Sequence, residues 1–486
     1  MQNSTRISKP DSFITPVVLF WIIGVISVIT FCVAAYTEQR AVYLLPFGVA
    51  LAALLALRVR WFFYLMLLAL PLSVETYLGD FGTDLPSEPL VVMLAVAMLL
   101  RLVTEDAGVL KKMLRHPIVF LLLLQFGWSC WVTLFSTDVF VSVKYLLAKS
   151  WYLLGFFVAV LLLLRDERYI RTFFWCLFMP TFGSVVFILV KHATLDFEFD
   201  SIQKAVSPIY RNHVNYAVFI TMLLPFIFLA KSWYPASSVR HKLLKFAIPV
   251  FLLAIYFSYT RGAWLATVGM LLYAVVLKRN WTKPVLLLGL AGVVLFAGYL
   301  WKDNHYLKFA PDFEHTIYHD DLSEHLSSTF EMKDMSTVER FYRWIAAVRL
   351  FEEHPWTGVG PNNFVSNYKA HAVTAYETYI SDNEERSTVH NYMLLLLTEQ
   401  GAPAAVMYVV LVVVVLLIVQ NGYNAAQPKA AKLYMAIGAC LVVFIFNNTL
   451  SDLVEANKVG SLYFMCLGML VLLSTGLLRI SEEENA

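Results

Sequence analysis

Long apolar runs follow one another through the chain, and that pattern leaves few folds open. An α-helix rises about 1.5 Å per residue, so roughly twenty apolar residues cross a ~30 Å hydrocarbon layer. Runs of this order, or nearly so, recur from residues 14–36 to residues 459–478. Within a bilayer every backbone N–H and C=O must be satisfied by the protein itself, so only helices and closed barrels can span it. A barrel would read as short alternating segments, and these runs are continuous. Composition agrees: 59% of residues are hydrophobic and 15% charged, where a soluble domain carries about a quarter charged. The expected fold class is therefore an all-α polytopic membrane protein with twelve to fourteen transmembrane helices. A net charge of +2 gives no reason to expect a nucleic-acid partner. Cys32, Cys130, Cys176, Cys440 and Cys466 all fall inside apolar runs without a CxxC spacing, so they read as packing residues.

Charge fixes the expected sidedness. Alternate short links carry Arg58 and Arg60; Lys111, Lys112 and Arg115; Arg165, Arg168 and Arg171; Lys231, Arg240 and Lys242; Lys278, Arg279 and Lys283; Lys429 and Lys432. The positive-inside rule puts these in the cytoplasm. The links between them carry Glu75, Asp80, Asp84 and Glu88, then Asp138, then Asp452 and Glu455, and face outward. Residues 1–300 then form a bundle of about eleven spans, residues 301–389 one large outer loop, and residues 390–486 the last helices. The run at 14–36 lacks a small-residue cleavage site and is expected to stay as an anchor. A loop as long as 301–389 is expected to carry function and some amphipathic helix.

Several polar residues sit where apolar ones would be easier to place. In the large loop, Ser336 and Glu339 have capping-box spacing. Phe341, Trp344, Ile345 and Val348 then form an apolar stripe at helical period, ended by Pro355. Arg340 and Arg343 fall three apart on one face of that helix. Two readings are open: an amphipathic helix on the membrane with solvated arginines, or two guanidiniums aimed at a bound phosphate. Arg261, in the tight Thr260-Arg261-Gly262-Ala263-Trp264 turn, either snorkels to the headgroups or faces a water-filled cavity. Arg211 opens an outward helix, a place that anchors at the interface or favours anions. Lys144 and Lys149 are weaker candidates for the same cavity. His390 and Asn391 precede an apolar helix interrupted at Gly401-Ala402-Pro403, with Glu399 beside the break. A histidine there is a cap, or a neutral imidazole at a cavity rim able to take a proton. His315 and His319 have metal-like spacing, but their acidic, loop-like surroundings favour no metal.

Taken in order, the Thr260–Trp264 turn, the Glu339-Arg340…Trp344 helix followed by His354-Pro355-Trp356-Thr357-Gly358-Val359-Gly360-Pro361-Asn362-Asn363-Phe364, and His390-Asn391-x9-Gly401 resemble the O-antigen ligase and polymerase superfamily. Ligases of that family carry a further Gly, Thr or Tyr where this chain has Ala404. The resemblance implies a C-type glycosyltransferase-like helical bundle in the bacterial inner membrane, with its active site facing the periplasm. It also implies an undecaprenyl-diphosphate-linked glycan donor, and an acceptor hydroxyl on lipid A-core or on another glycan. By that resemblance the transfer is inverting, with no metal and no other cofactor. His390 would then be the base. Arg261 and Arg340, with Arg211 and Arg343, would hold the diphosphate, and Asn391 and Lys149 would complete the binding site. A lipid-glycan transporter or flippase is the alternative from another functional class.

Overall fold

The structure is a computed structural model that describes residues 45–78, 81–302, 335–372 and 387–480, with positions 25, 29, 30, 305 and 383. The expected span at 14–36 lies almost wholly outside the described residues, and the His315/His319 pair lies fully outside. The chain divides into two compact units, Met1–Phe63 and Tyr64–Ala486. Helix α1 (Leu45–Ala69) leaves helical geometry at Arg58 (φ −142°, ψ 53°), where a short link carrying Arg58 and Arg60 is expected.

In the second unit an antiparallel hairpin comes first, β1 (Val74–Leu78) with β2 (Phe81–Leu85). It is an exception to the expected all-α fold. Val74, Thr76, Phe81 and Thr83 are good strand formers, and Leu78 pairs with Phe81. Next come α2 (Ser87–Val103), α3 (Ala107–Leu114), α4 (Pro117–Thr133) and α5 (Val139–Tyr152). A π turn at Leu153–Val158 carries α5 into α6 (Ala159–Leu163). They are followed by α7 (Glu167–Ala193), the short α8 (Ile202–Val206), α9 (His213–Lys231), α10 (Val239–Tyr256), α11 (Arg261–Lys278) and α12 (Thr282–Trp301). In the large loop lie α13 (Met335–Glu353) and α14 (Phe364–His371). The chain closes with α15 (Tyr392–Ala425), α16 (Pro428–Asn448) and α17 (Asn457–Ser474).

Among the described residues nine helices are long and apolar enough to cross a membrane, with α4 a shorter apolar one, so the chain is a multi-pass membrane protein. Three of them make the centre: α9 and α17 are buried along most of their length, and α16 packs against α9, α11, α15 and α17. α12 is the opposite: beyond Lys283 and the buried Thr282 at its start it is apolar and unburied, as a helix facing lipid should be.

Polar side chains mark helix starts. Asp106 accepts from the Val109 N–H (3.0 Å), Asp138 from Phe140 (3.0 Å) and Val141 (3.1 Å), and Asn212 from Asn215 (2.8 Å). Each satisfies donors that a helix N-terminus leaves open.

The links of this unit gather at two ends. One end is closed by local pairs: Arg165 to Glu105 (2.9 Å), His116 Nε2 to Ser474 Oγ (2.8 Å), and a short bridge in which Glu167 and Arg479 N–H groups donate to Arg479 and Arg165 carbonyls (both 3.0 Å). The other end joins the hairpin, the start of α5, the residues before α9, helices α13 and α14, and the link between α16 and α17.

Candidate functional site

The site grows from the break in α15. Gly401 has φ 74° and ψ 179°, so the helix stops hydrogen-bonding through itself there. A broken helix leaves carbonyls and N–H groups without partners, which is costly away from water. The segment Pro355–Gly360 supplies them. Val359 N–H donates to the Thr398 carbonyl and Gly360 N–H to that of Glu399, while Ala402 N–H donates to the Pro355 carbonyl (all 2.9 Å). The fit needs bare backbones. A Cβ on Gly401 would overlap the Trp356 carbonyl, and one on Gly358 (φ 63°) would overlap the Glu399 backbone.

Glu399 then reaches beyond the break. It is 4% exposed, and its carboxylate accepts from Asn362 N–H (2.7 Å) and Phe364 N–H (3.0 Å), closing the start of α14. Asn363, fully buried, ties this turn to the start of α5: its Oδ1 accepts from Asp138 N–H (3.1 Å) and its Nδ2 donates to Ser142 Oγ (2.8 Å). The glycine-rich segment Trp356–Phe364 therefore locks the large loop onto two membrane helices.

α13 lies along α15. Trp344 donates its indole N–H to the Val389 carbonyl (3.1 Å), which fixes the residue before His390. His390 holds a left-handed backbone (φ 54°), a conformation a non-glycine residue keeps only when its surroundings enforce it. Asn391 caps α15, accepting from Leu394 N–H (3.0 Å) and donating to the Thr449 carbonyl (3.0 Å).

A cavity of about 640 Å³ opens above this frame. His390 and Arg211 line it, with Asn362, Asp452, Glu455 and Lys458 among the others. Burial and the neighbouring Arg343 and Arg340 guanidiniums hold the His390 ring down to about 3 from its ordinary 6.5, so the imidazole is neutral at physiological pH. Arg343 is 2% exposed, a deeply buried cation. Asp452 lies within the field of Arg211 and Arg343 and bonds the Thr388 side chain, yet burial wins and raises its carboxyl. Burial likewise raises Glu455 to about 7, against the pull of Lys149 and the Tyr145 hydroxyl. Glu455 is open to the cavity while enclosed by protein, which accounts for its being both accessible and desolvated.

The seven expected site residues therefore fall in different places. His390 and Arg211 are on the cavity wall, and Arg211 Nε stands 3.7 Å from Glu75. Arg340 and Arg343 stand within electrostatic reach of His390. Arg261 begins α11 after Tyr259 (φ 54°), in a turn stapled by Trp264, whose indole donates to the Ile255 carbonyl (2.7 Å). A Cβ on Gly262 of that turn would meet Asn447 and Leu450, and Asn391 donates to Thr449, so the turn and Asn391 adjoin the same end of α16. Lys149 lines a separate cavity of about 20 Å³ with Tyr392 and Tyr463.

Sequence reasoning passed over the acidic wall and Lys458. Glu75, Asp84, Glu88, Asp452 and Glu455 served there only to mark sidedness, but all five line the cavity. Lys458, 8% exposed at the head of α17, donates to the carbonyls of Pro71 (3.0 Å), Ser73 (2.9 Å) and Ile209, pinning two walls together. A lysine at the entry to an apolar span was the available signal. Among the described residues no group of three or more His, Cys, Asp or Glu is placed to hold a metal ion.

Residues 246–409 match the family model described as O-antigen ligase. That stretch runs from α10 to α15 and holds Arg261, Arg340, Arg343, His390 and Glu399. No curated relative matches the chain.

Proposed function

We propose, from the O-antigen ligase family domain that this chain carries, that the protein is a membrane glycosyltransferase using an undecaprenyl-diphosphate-linked glycan as donor. Its acceptor is a sugar hydroxyl of lipid A-core, and the transfer takes place at the periplasmic face of the bacterial inner membrane. The observation that carries this reading is the pairing of a neutral His390 with Arg211 on one cavity wall, under the field of Arg340 and Arg343.

In this mechanism the acceptor hydroxyl attacks the anomeric carbon from the face opposite the diphosphate. A new C–O bond forms as the bond to the phosphate oxygen breaks, and the bonding electrons leave with undecaprenyl diphosphate. His390 takes the hydroxyl proton. Negative charge builds on the leaving diphosphate, and fixed guanidiniums stabilise it most where water is scarce. Arg261, Arg340, Arg211 and Arg343 are assigned that role, and Asn391 and Lys149 are kept as neighbouring binding residues. Anion binding also acts on the base. Two guanidiniums depress His390, so neutralising them with diphosphate raises its basicity when the donor is in place. Residues 301–389 are assigned as the periplasmic segment, and residues 1–300 and 390–486 as the membrane-spanning parts.

Ala404 stands where ligases carry Gly, Thr or Tyr, so polymerase chemistry of the same superfamily is kept as the second reading. Envelope glycan after His390→Ala tests the first. Loss of attached O-antigen, with the protein inserted and lipid-linked glycan accumulating outside, is the expected result. Unchanged attachment removes the proposal, and glycan trapped inside points to transport instead.

A further inference from the structure

Two adjacent asparagines in the Pro361–Phe364 turn are used in opposite ways. Asn363 is fully buried, and its side-chain amide is spent on the start of α5. Asn362 is exposed on the wall of the 640 Å³ cavity that His390 also lines. No hydrogen bond from the described residues holds its side-chain amide.

The backbone of Asn362 is left-handed, with φ 61°. On backbone grounds alone glycine suits such a position better. The same segment uses glycine twice for left-handed geometry, at Gly358 (φ 63°) and Gly360 (φ 100°), but not here. The conformation is enforced from beneath. The buried Glu399 carboxylate takes the Asn362 N–H with one oxygen (2.7 Å) and the Phe364 N–H with the other (3.0 Å). A carboxyl group buried within α15 is an expensive way to hold a turn, and what it holds is one amide side chain on the cavity wall.

A primary amide offers donors and an acceptor in one plane and carries no charge. It suits neighbouring sugar hydroxyls and adds little to the binding of a diphosphate. We propose that Asn362 is a sugar-binding residue of this cavity and that Glu399 is the positioning residue that presents it; this rests on the glycan-transfer reading above.

The test measures kcat/KM in reconstituted protein for an undecaprenyl-diphosphate-linked O-antigen oligosaccharide and for a lipid A-core acceptor, each varied in turn. Thermal stability is read in parallel. Asn362→Gly keeps the backbone at ease and deletes the amide. The expected result is unchanged or higher stability, with kcat/KM lowered roughly three- to tenfold for the substrate whose sugar the amide holds. Which of the two constants falls identifies that sugar, and unchanged values for both overturn the proposal. Glu399→Gln keeps the side-chain shape but turns a donor toward one of the two N–H groups. It should lower kcat/KM in the native background and add nothing in Asn362→Gly. An equal loss in both backgrounds would overturn the positioning role. His390→Ala in the same assay separates the two levels. Retained transfer there removes the assignment of His390 as base, and no transfer by the native protein removes the glycan-transfer reading, whereas transfer lost in His390→Ala with a silent Asn362→Gly removes only the sugar-binding one.

Discussion

The two ends of the residue 64–486 unit use charge differently. At the basic end Arg165 meets Glu105 at 2.9 Å, Arg171 lies one helical turn from Glu167, and each pair neutralises itself locally. At the cavity end cations and carboxyls are gathered around one cavity. Lys458 spends its ammonium on backbone carbonyls, Arg343 is buried, and Arg211 is 70% exposed with Glu75 only at 3.7 Å. Neighbouring carboxyls there are raised instead of ionised at ordinary acid pH. Local pairing makes a closed, structural end. Charge gathered around a cavity makes a site suited to an ionic ligand.

Glycines give the strongest way to break that comparison. Gly401 and Gly476 are both left-handed, with φ 74° and 66°. A Cβ on Gly401 runs into the Trp356 carbonyl, while one on Gly476 meets nothing within 4 Å. Gly401→Ala should cost about 3 kcal/mol or more, or prevent stable insertion. Gly476→Ala should cost only about 1 kcal/mol of backbone strain. Thermal unfolding in detergent checks both, and equal costs would mean that the packed break is not what holds the cavity end. Glu399→Ala comes next. It strands two N–H groups in a buried turn, for roughly 2–5 kcal/mol, measured the same way.

A pH series sharpens the contrast further. The folded His390 ring resists protonation down to about 3, while the unfolded chain takes up its proton near 6.5. Below pH 6.5 the unfolded state therefore binds more protons, and stability falls as pH drops toward 3. His390→Gln should remove that part of the slope. Glu455 acts in the other sense. Its folded value of about 7 lies above the ordinary 4.5, so its contribution weakens as pH rises through that window, and Glu455→Gln should flatten it. The smallest effect is expected from Arg165→Ala. Its partly exposed pair is worth about 1 kcal/mol or less, and the loss should shrink further in high salt.

Much of the fold was legible because spans announce themselves by composition alone. The sequence reads residues 391–400 and 402–420 as two helical pieces joined at a Gly401–Pro403 kink, and α15 has its break at Gly401. The hairpin was missed because its five-residue strands lie in a link too short and too acidic to carry a strong periodic signal. In the site, His390 and the Arg340–Arg343 helix could be proposed because each stands beside a local pattern. Asn362, Glu399 and Lys458 could not. Their meaning depends on partners far away in sequence: Glu399 on Asn362 and Phe364, Lys458 on Pro71, Ser73 and Ile209. Spacing along one chain segment does not encode such pairings.

The most direct test sets one arginine from each end side by side in a reconstituted transfer assay with lipid-diphosphate-linked glycan. Arg211→Ala should lose transfer by about tenfold or more while keeping its unfolding temperature, since its contact with Glu75 is exposed and long. Arg165→Ala should keep its turnover per folded molecule. Full transfer by Arg211→Ala, or a loss as large in Arg165→Ala, would contradict the assignment of the cavity end to diphosphate chemistry.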